Sequence, residues 1–304
     1  MPLLTSARAV TRDALASSRH HDLALYAAGL TFYGGIALLP ATLVALRLAG
    51  ALVGQAHVAR RGESVAAALP DALGAPTVVA RLVESGAHLP VLTLLLAILP
   101  STLYGEGLRR AFLRLSGAEE SYVGWRGRLG VLPLLVVTPL MALAVLETAP
   151  LLARLVAAGP GGTALAVYLA LVLDWLLLSV PLAFVYRVVS PASVSWRAAV
   201  VGALVTASFV SGFLQGFVLF LALPLDLGLP FGGAVAVGAA VAVALWLWVL
   251  HLLVLVGHQV VVAVDRRRSA PAVSARPRGG PSVSGRSGRR STRPDGWRPR
   301  PPAP

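Results

Sequence analysis

The chain has no cysteine and no lysine among its 304 residues. Without cysteine there is no disulfide, no thiolate metal site and no cysteine nucleophile. Without lysine there is no Walker-type GxxxxGK(S/T) loop, which excludes a primary ATP-driven pump on this chain alone. Charge is scarce too: charged residues make up 13% of the chain, about half the roughly 25% of a soluble domain. Hydrophobic residues fill 57%, a balance that fits a polytopic membrane protein and no soluble core. The six histidines, at 20, 21, 57, 88, 251 and 258, show no HExxH-like spacing. A hydrolase or ribonuclease needs a convergent set of acids or histidines. No catalytic site, metal site or cofactor is therefore expected.

What is present is apolar length. Leu23 to Leu46 carries no charged residue, and at about 1.5 Å per residue it crosses the roughly 30 Å hydrocarbon core as a helix. It is much longer than the 7–15-residue core of a cleaved signal peptide, so it reads as a retained first span. Its interior holds Thr31, Phe32-Tyr33, Gly34-Gly35 and Pro40, a pattern for packing against other helices. Further apolar runs follow, giving six spans at about 23–52, 88–105, 129–152, 163–186, 198–223 and 231–264. The fold class is an all-α integral membrane protein with six transmembrane helices in one bundle. Residues 1–22 form a polar N-terminal segment. Residues 55–87 are mixed in polarity and broken by Pro70 and Pro76, which predicts one or two short helices outside the membrane. Residues 265–304 are rich in Arg, Pro, Ser and Gly and are expected to be disordered.

The net charge of +13 resembles a nucleic-acid signal until it is located. The tail from 265 holds eleven arginines against Asp265 and Asp295, a net +9, which leaves +4 for residues 1–264. Aromatic interleaving is missing there apart from Trp297, so no nucleic-acid partner is expected and the tail reads as solvated and lipid-facing. Arginine asymmetry puts both termini in the cytoplasm. Five arginines lie between spans 2 and 3 and eleven in the tail, whereas the outer segments hold only Arg60, Arg61, Arg81 and Arg154. Tyr122, Trp125 and Trp196 fit an interfacial aromatic belt.

Ionisable groups at membrane depth are costly and mark candidate sites. Asp174 lies about 20 Å from Arg187 along span 4, and His251 about 20 Å from Asp265 along span 6. With level ends the two share one depth, where they either exchange a proton in a common polar interior or form static hydrogen bonds. Gln215 and Glu147 count to about 27 Å and 28 Å from their inner arginines, near the outer interface. Glu147 and Arg154, seven apart, share a helix face as a local pair. Glu106 precedes Arg109 and Arg110 at i+3 and i+4, a helix-stabilising spacing. Arg109, Arg110, Arg126 and Arg128 either contact anionic headgroups of the inner leaflet or set topology alone. Small residues that let helix backbones approach fall at Gly212, Gly216, Gly232 and Gly238, as contacts within one bundle or in a homo-oligomer.

Four stretches carry a resemblance: Ala27-Ala28 with Leu30-Thr31-Phe32-Tyr33 and Leu38-Leu39-Pro40; Tyr104-Gly105-Glu106-Gly107-Leu108-Arg109-Arg110-Ala111-Phe112; Tyr186-Arg187 with Pro191, Val194, Trp196-Arg197 and Gly202; and Phe231-Gly232-Gly233 with Trp246 and Leu255-x-Gly257. In order and spacing they resemble the YihY/BrkB family of bacterial membrane proteins over about residues 20–264. Two departures from the family's pattern stand out: Gly257-His258-Gln259 stands where Gly-Ala-Glu is more usual, and Phe231 where Tyr is. The resemblance implies six transmembrane helices in the cytoplasmic membrane and a transporter-like or lipid-handling role in the bacterial cell envelope, with membrane lipids as partners. A non-catalytic scaffold that recruits envelope partners is the alternative reading. The ribonuclease label that some members carry finds no support in these residues.

Overall fold

The computed structural model describes residues 22–69, 74–116, 124–221 and 223–269. The expectations for the N-terminal segment and most of the Arg-rich tail fall outside these residues. Among the described residues there are eight α-helices and no strand: α1 (Leu23–Val53), α2 (Gln55–Ala68), α3 (Ala75–Ala87), α4 (Val91–Ser116), α5 (Gly124–Ala157), α6 (Pro160–Phe184), α7 (Trp196–Leu221) and α8 (Val235–Ser269). Six of these are long and apolar enough to cross a membrane: α1, α4, α5, α6 with its π-helical extension Val185–Val189, α7 and α8.

Local chemistry sets the ends. Asp22 caps α1 by accepting from the Leu25 amide at 3.1 Å, which satisfies one of the donors a helix start leaves open. Gly54 at φ +94° turns α1 directly into α2 without a loop, a backbone conformation that side chains resist. The apolar run preceding α8 does not become helix throughout. Leu229–Phe231 is a 3-10 turn, and Gly232 and Gly233 have φ of +65° and +86° before α8 begins at Val235. Span 2 departs more. The charged stretch from Glu106 stays helical as far as Ser116, eleven residues past the end expected from hydropathy.

The spanning helices close into a ring in the order α1, α4, α5, α6, α7, α8 and back to α1, with α1 also packed on α5. The end bearing Asp22 and Ser269 is called the terminal end, and the opposite one the distal end. The main core lies toward the terminal end, around fully buried Leu30, Leu108, Phe112, Tyr186, Leu255 and His258. At the distal end α2 and α3 pack on α1 and α5 through Leu46, Ala49, Val58, Val83 and Leu146. Arg47 donates there to the Leu89 carbonyl at 3.0 Å. No more than a third of any apolar window is buried, and large side chains such as Phe32, Leu92, Val136 and Leu219 are 66–71% exposed. Such outward apolar surface is what a bilayer solvates.

Candidate functional site

Three of the motif stretches meet at the terminal end. On α4 the buried Glu106 carboxylate accepts from Arg110 at 2.6 Å and from Arg128 of α5 at 2.7 Å. Arg109 donates to the Val189 carbonyl at 3.1 Å, at the open end of the π-turn. Helix ends leave such carbonyls without an intrahelical partner, so an arginine from a neighbouring helix both satisfies the group and ties the elements together. Tyr186, fully buried, donates to the Val254 carbonyl of α8 at 2.9 Å. Gln259 donates to the Leu115 carbonyl at 3.1 Å, and Asp265 accepts from both the backbone N–H and the hydroxyl of Ser195. His258 stacks on Phe112 with centroids 4.0 Å apart and pairs with the Ser190 hydroxyl at 2.8 Å.

His251 sits deeper in the bundle, buried between α1 and α4. Its Nδ1 lies 3.2 Å from the Thr31 hydroxyl, and its Nε2 lies 3.0 Å from the Tyr104 hydroxyl. Thr31 donates its own proton to the Ala27 carbonyl at 2.9 Å. A hydroxyl has one proton, so Thr31 accepts from an Nδ1–H imidazole, and Nε2 accepts from Tyr104. Asp174 belongs to another set. Its carboxylate accepts from Gln215 at 2.6 Å, one of three α6–α7 links with Trp175 to the Leu204 carbonyl and Ser211 to the Leu171 carbonyl. Each of the two groups has its own partners, and no hydrogen bond joins them. Replacing His251 with leucine strands the Tyr104 hydroxyl while leaving Thr31 its Ala27 bond. The expected cost is about 1–3 kcal/mol, read as a lower melting temperature of the purified protein, with Tyr104→Phe near the bottom of that range.

Other candidates are placed differently from their sequence reading. Glu147 pairs across elements with His57 and Arg61 of α2, the latter at 3.0 Å, and not with Arg154 on its own face. The exposed pair thus pins the α2–α3 hairpin to α5. Arg126 lies exposed in the first turn of α5. Gly216 approaches the Trp246 ring of α8, and Gly238 abuts the Leu227 carbonyl. Gly232 lies in the turn before α8, and Gly212 has open space where a side chain would stand. The tight crossings between spanning helices are elsewhere: Gly105 against Gly127, Gly107 against Tyr33, Gly202 against Val261, and Gly257 against Thr206 and Tyr186. All of these glycines but Gly127 lie in the motif stretches, and that placement was the available signal.

Along one outward side of the α7–α8 pair run two furrows. The terminal-end furrow holds about 370 Å³, lined by Val201, Val205 and Phe209 of α7 and by Leu253, Val256 and Val260 of α8, with Arg268 at its mouth. The distal one holds about 690 Å³ between Phe213, Trp246 and the Leu225–Phe231 turn. Phe209 to Phe213 and Val249 to Leu253 are steps of four, so the same helix stripes line both. Among the described residues no three His, Asp or Glu side chains converge as metal ligands.

The fold and these contacts define a multi-pass helical membrane protein with many of its buried polar groups tied into interhelical bonds and with two apolar furrows on an outward side of α7–α8. The family model described as Virulence factor BrkB matches residues 14–280, and the chain belongs to that family. No curated protein and no solved structure matches it.

Proposed function

We propose that this BrkB family member is a lipid-handling, transporter-like protein of the cytoplasmic membrane, with both termini in the cytoplasm. The observation that carries the reading is the pair of outward-facing furrows along α7–α8, which together extend from the distal turn to Arg268. Sites of this size, each largely apolar with one charged residue, Arg268 in the terminal-end furrow and Asp226 in the distal one, suit an amphipathic ligand. The interior polar groups support the same choice. Asp174 and His251 are each engaged by neighbouring side chains, an arrangement better suited to fixing helix register than to passing a solute. The orientation rests on the arginines gathered at the terminal end, among them Arg109, Arg110, Arg128 and Arg266 to Arg268.

Deletion of the gene followed by comparative lipidomics tests the proposal. The expected result is a changed distribution of envelope lipids, restored by the wild-type chain and not by Val205→Trp, which fills the furrow from a position 53% exposed. Asp174→Asn, which keeps an acceptor for Gln215, is expected to restore it. An unchanged lipid profile in the deletion strain counts against lipid handling and favours a scaffold. Rescue that fails only with Asp174→Asn places a proton at that carboxylate instead.

A further inference from the structure

We infer that the terminal-end furrow binds one glycerophospholipid of the adjacent leaflet, with an acyl chain between α7 and α8 and an anionic headgroup at Arg268. The inference rests on the lipid-handling reading and names its ligand class. Length is the first argument. From Arg268 to Leu253 is fifteen residues, about 22 Å along α8, which equals half of a bilayer about 40–45 Å thick with its headgroups. The furrow therefore spans one leaflet, from the headgroup level to the midplane.

Shape and charge supply the rest. The floor is close-packed, because Gly202 and Gly257 have no side chains and the helices cross tightly there, with Val261, Thr206 and Tyr186 filling the space a Cβ would need. The walls are the outward valines and Phe209, which offer an acyl chain contacts on both sides; Thr206, the polar side chain that lines the furrow short of its mouth, donates its proton to the Gly202 carbonyl. At the mouth Arg268 is exposed at the membrane-surface end of α8. The nearby carboxylate, Asp265, keeps its charge while accepting from Ser195, but Arg266 and Arg267 beside it outnumber it, and Arg268 is the cation that lines the furrow. A cation next to an apolar slot one leaflet deep is complementary to a phosphate-headed chain and to neither a sterol-like ring nor an uncharged alkane.

The test uses the full chain, purified from vesicles of equal phosphatidylglycerol and phosphatidylcholine, with retained lipid counted by native mass spectrometry. The eight tail arginines beyond Arg268 are present in every variant and cancel in the comparison. Wild type is expected to retain one lipid, with phosphatidylglycerol favoured about fivefold, the factor one arginine contributes near an anionic headgroup. Arg268→Gln should abolish the preference while one lipid is still retained, and Arg268→Lys should keep most of it. Val205→Trp should lose retention of either lipid without a change in melting temperature. A preference untouched by Arg268→Gln overturns the headgroup assignment; retention lost in Val205→Trp would then leave the lipid-handling reading standing. Retention untouched by Val205→Trp overturns the site itself, and so does a wild-type dimer that closes this furrow and carries no lipid.

Discussion

Leucine at Gly105 is expected to prevent the protein from accumulating in the membrane. A Cβ at this position meets the Gly127 carbonyl oxygen and comes within 2.7–2.9 Å of the Val131 side chain. The same holds in reverse, since a Cβ at Gly127 lies 2.7 Å from the Gly105 carbonyl and 2.9 Å from the Glu106 Cα. Backbone meets backbone, so no flexible side chain can yield, and α4 and α5 must move apart. Overpacking of a core costs about 1–3 kcal/mol. Here the upper end applies, because separation also lengthens the Glu106–Arg128 contact one residue away. Against a total stability of about 5–15 kcal/mol that is a large fraction. Melting of detergent-solubilised protein, with membrane yield as a second measure, reads the effect. Gly29→Leu and Gly212→Ala are the controls, since neither glycine has a heavy atom within 4 Å of the added carbon. Gly212→Ala should be neutral or gain up to about 1 kcal/mol of helix propensity. If Gly105→Leu melts like these controls, the close crossing of α4 and α5 is wrong.

The contrast between Gly105 and Gly212 shows what was legible in the sequence. Length and apolarity reveal a span because lipid imposes them on each helix separately. The six spans follow from that property alone. Which glycine touches a neighbour depends on how helices rotate and cross, and a linear spacing does not carry that information. Gly212 and Gly216 form a GxxxG, yet only Gly216 meets another helix, at Trp246. Gly105 has no such pattern but lies in the stretch that resembled the family. Counting residues from arginines fared similarly. It put Gln215 about 7 Å above Asp174, whereas their side chains are hydrogen-bonded at 2.6 Å, a pairing that a count along each helix does not reveal. The end of span 2 was missed for another reason. Hydropathy ends the apolar span before Glu106, whereas the i+3 and i+4 spacing of Arg109 and Arg110 favours helix; their charges are spent on Arg128, the Val189 carbonyl and one another, and the helix continues.

That compensation leads to the second large expectation: removing Arg128 should cost more than removing the charge of Glu106. The Glu106 side chain is 8% exposed, while Arg128 and Arg110 are 37% and 50% exposed. Glu106→Gln takes away the buried charge and leaves two arginines that water and headgroups can still solvate. Its cost is that of charge-assisted hydrogen bonds, about 1.5–3 kcal/mol. Arg128→Leu does the opposite, leaving a buried carboxylate with part of its compensation gone, and breaking a buried pair from that side costs about 3–5 kcal/mol. The arginine sits toward the surface and carries less desolvation than the acid, so the asymmetry follows from position and not from residue type. A double-mutant cycle separates the contributions. Glu106→Gln combined with Arg128→Leu is expected to be less destabilised than Arg128→Leu alone, because the double variant buries no uncompensated charge. Added salt should change these differences little, as a pair with one member buried is weakly screened. Costs that simply add would mean that Glu106 is hydrated in the membrane-bound protein, and α4 and α5 would then be held together by the Gly105–Gly127 crossing without help from charge.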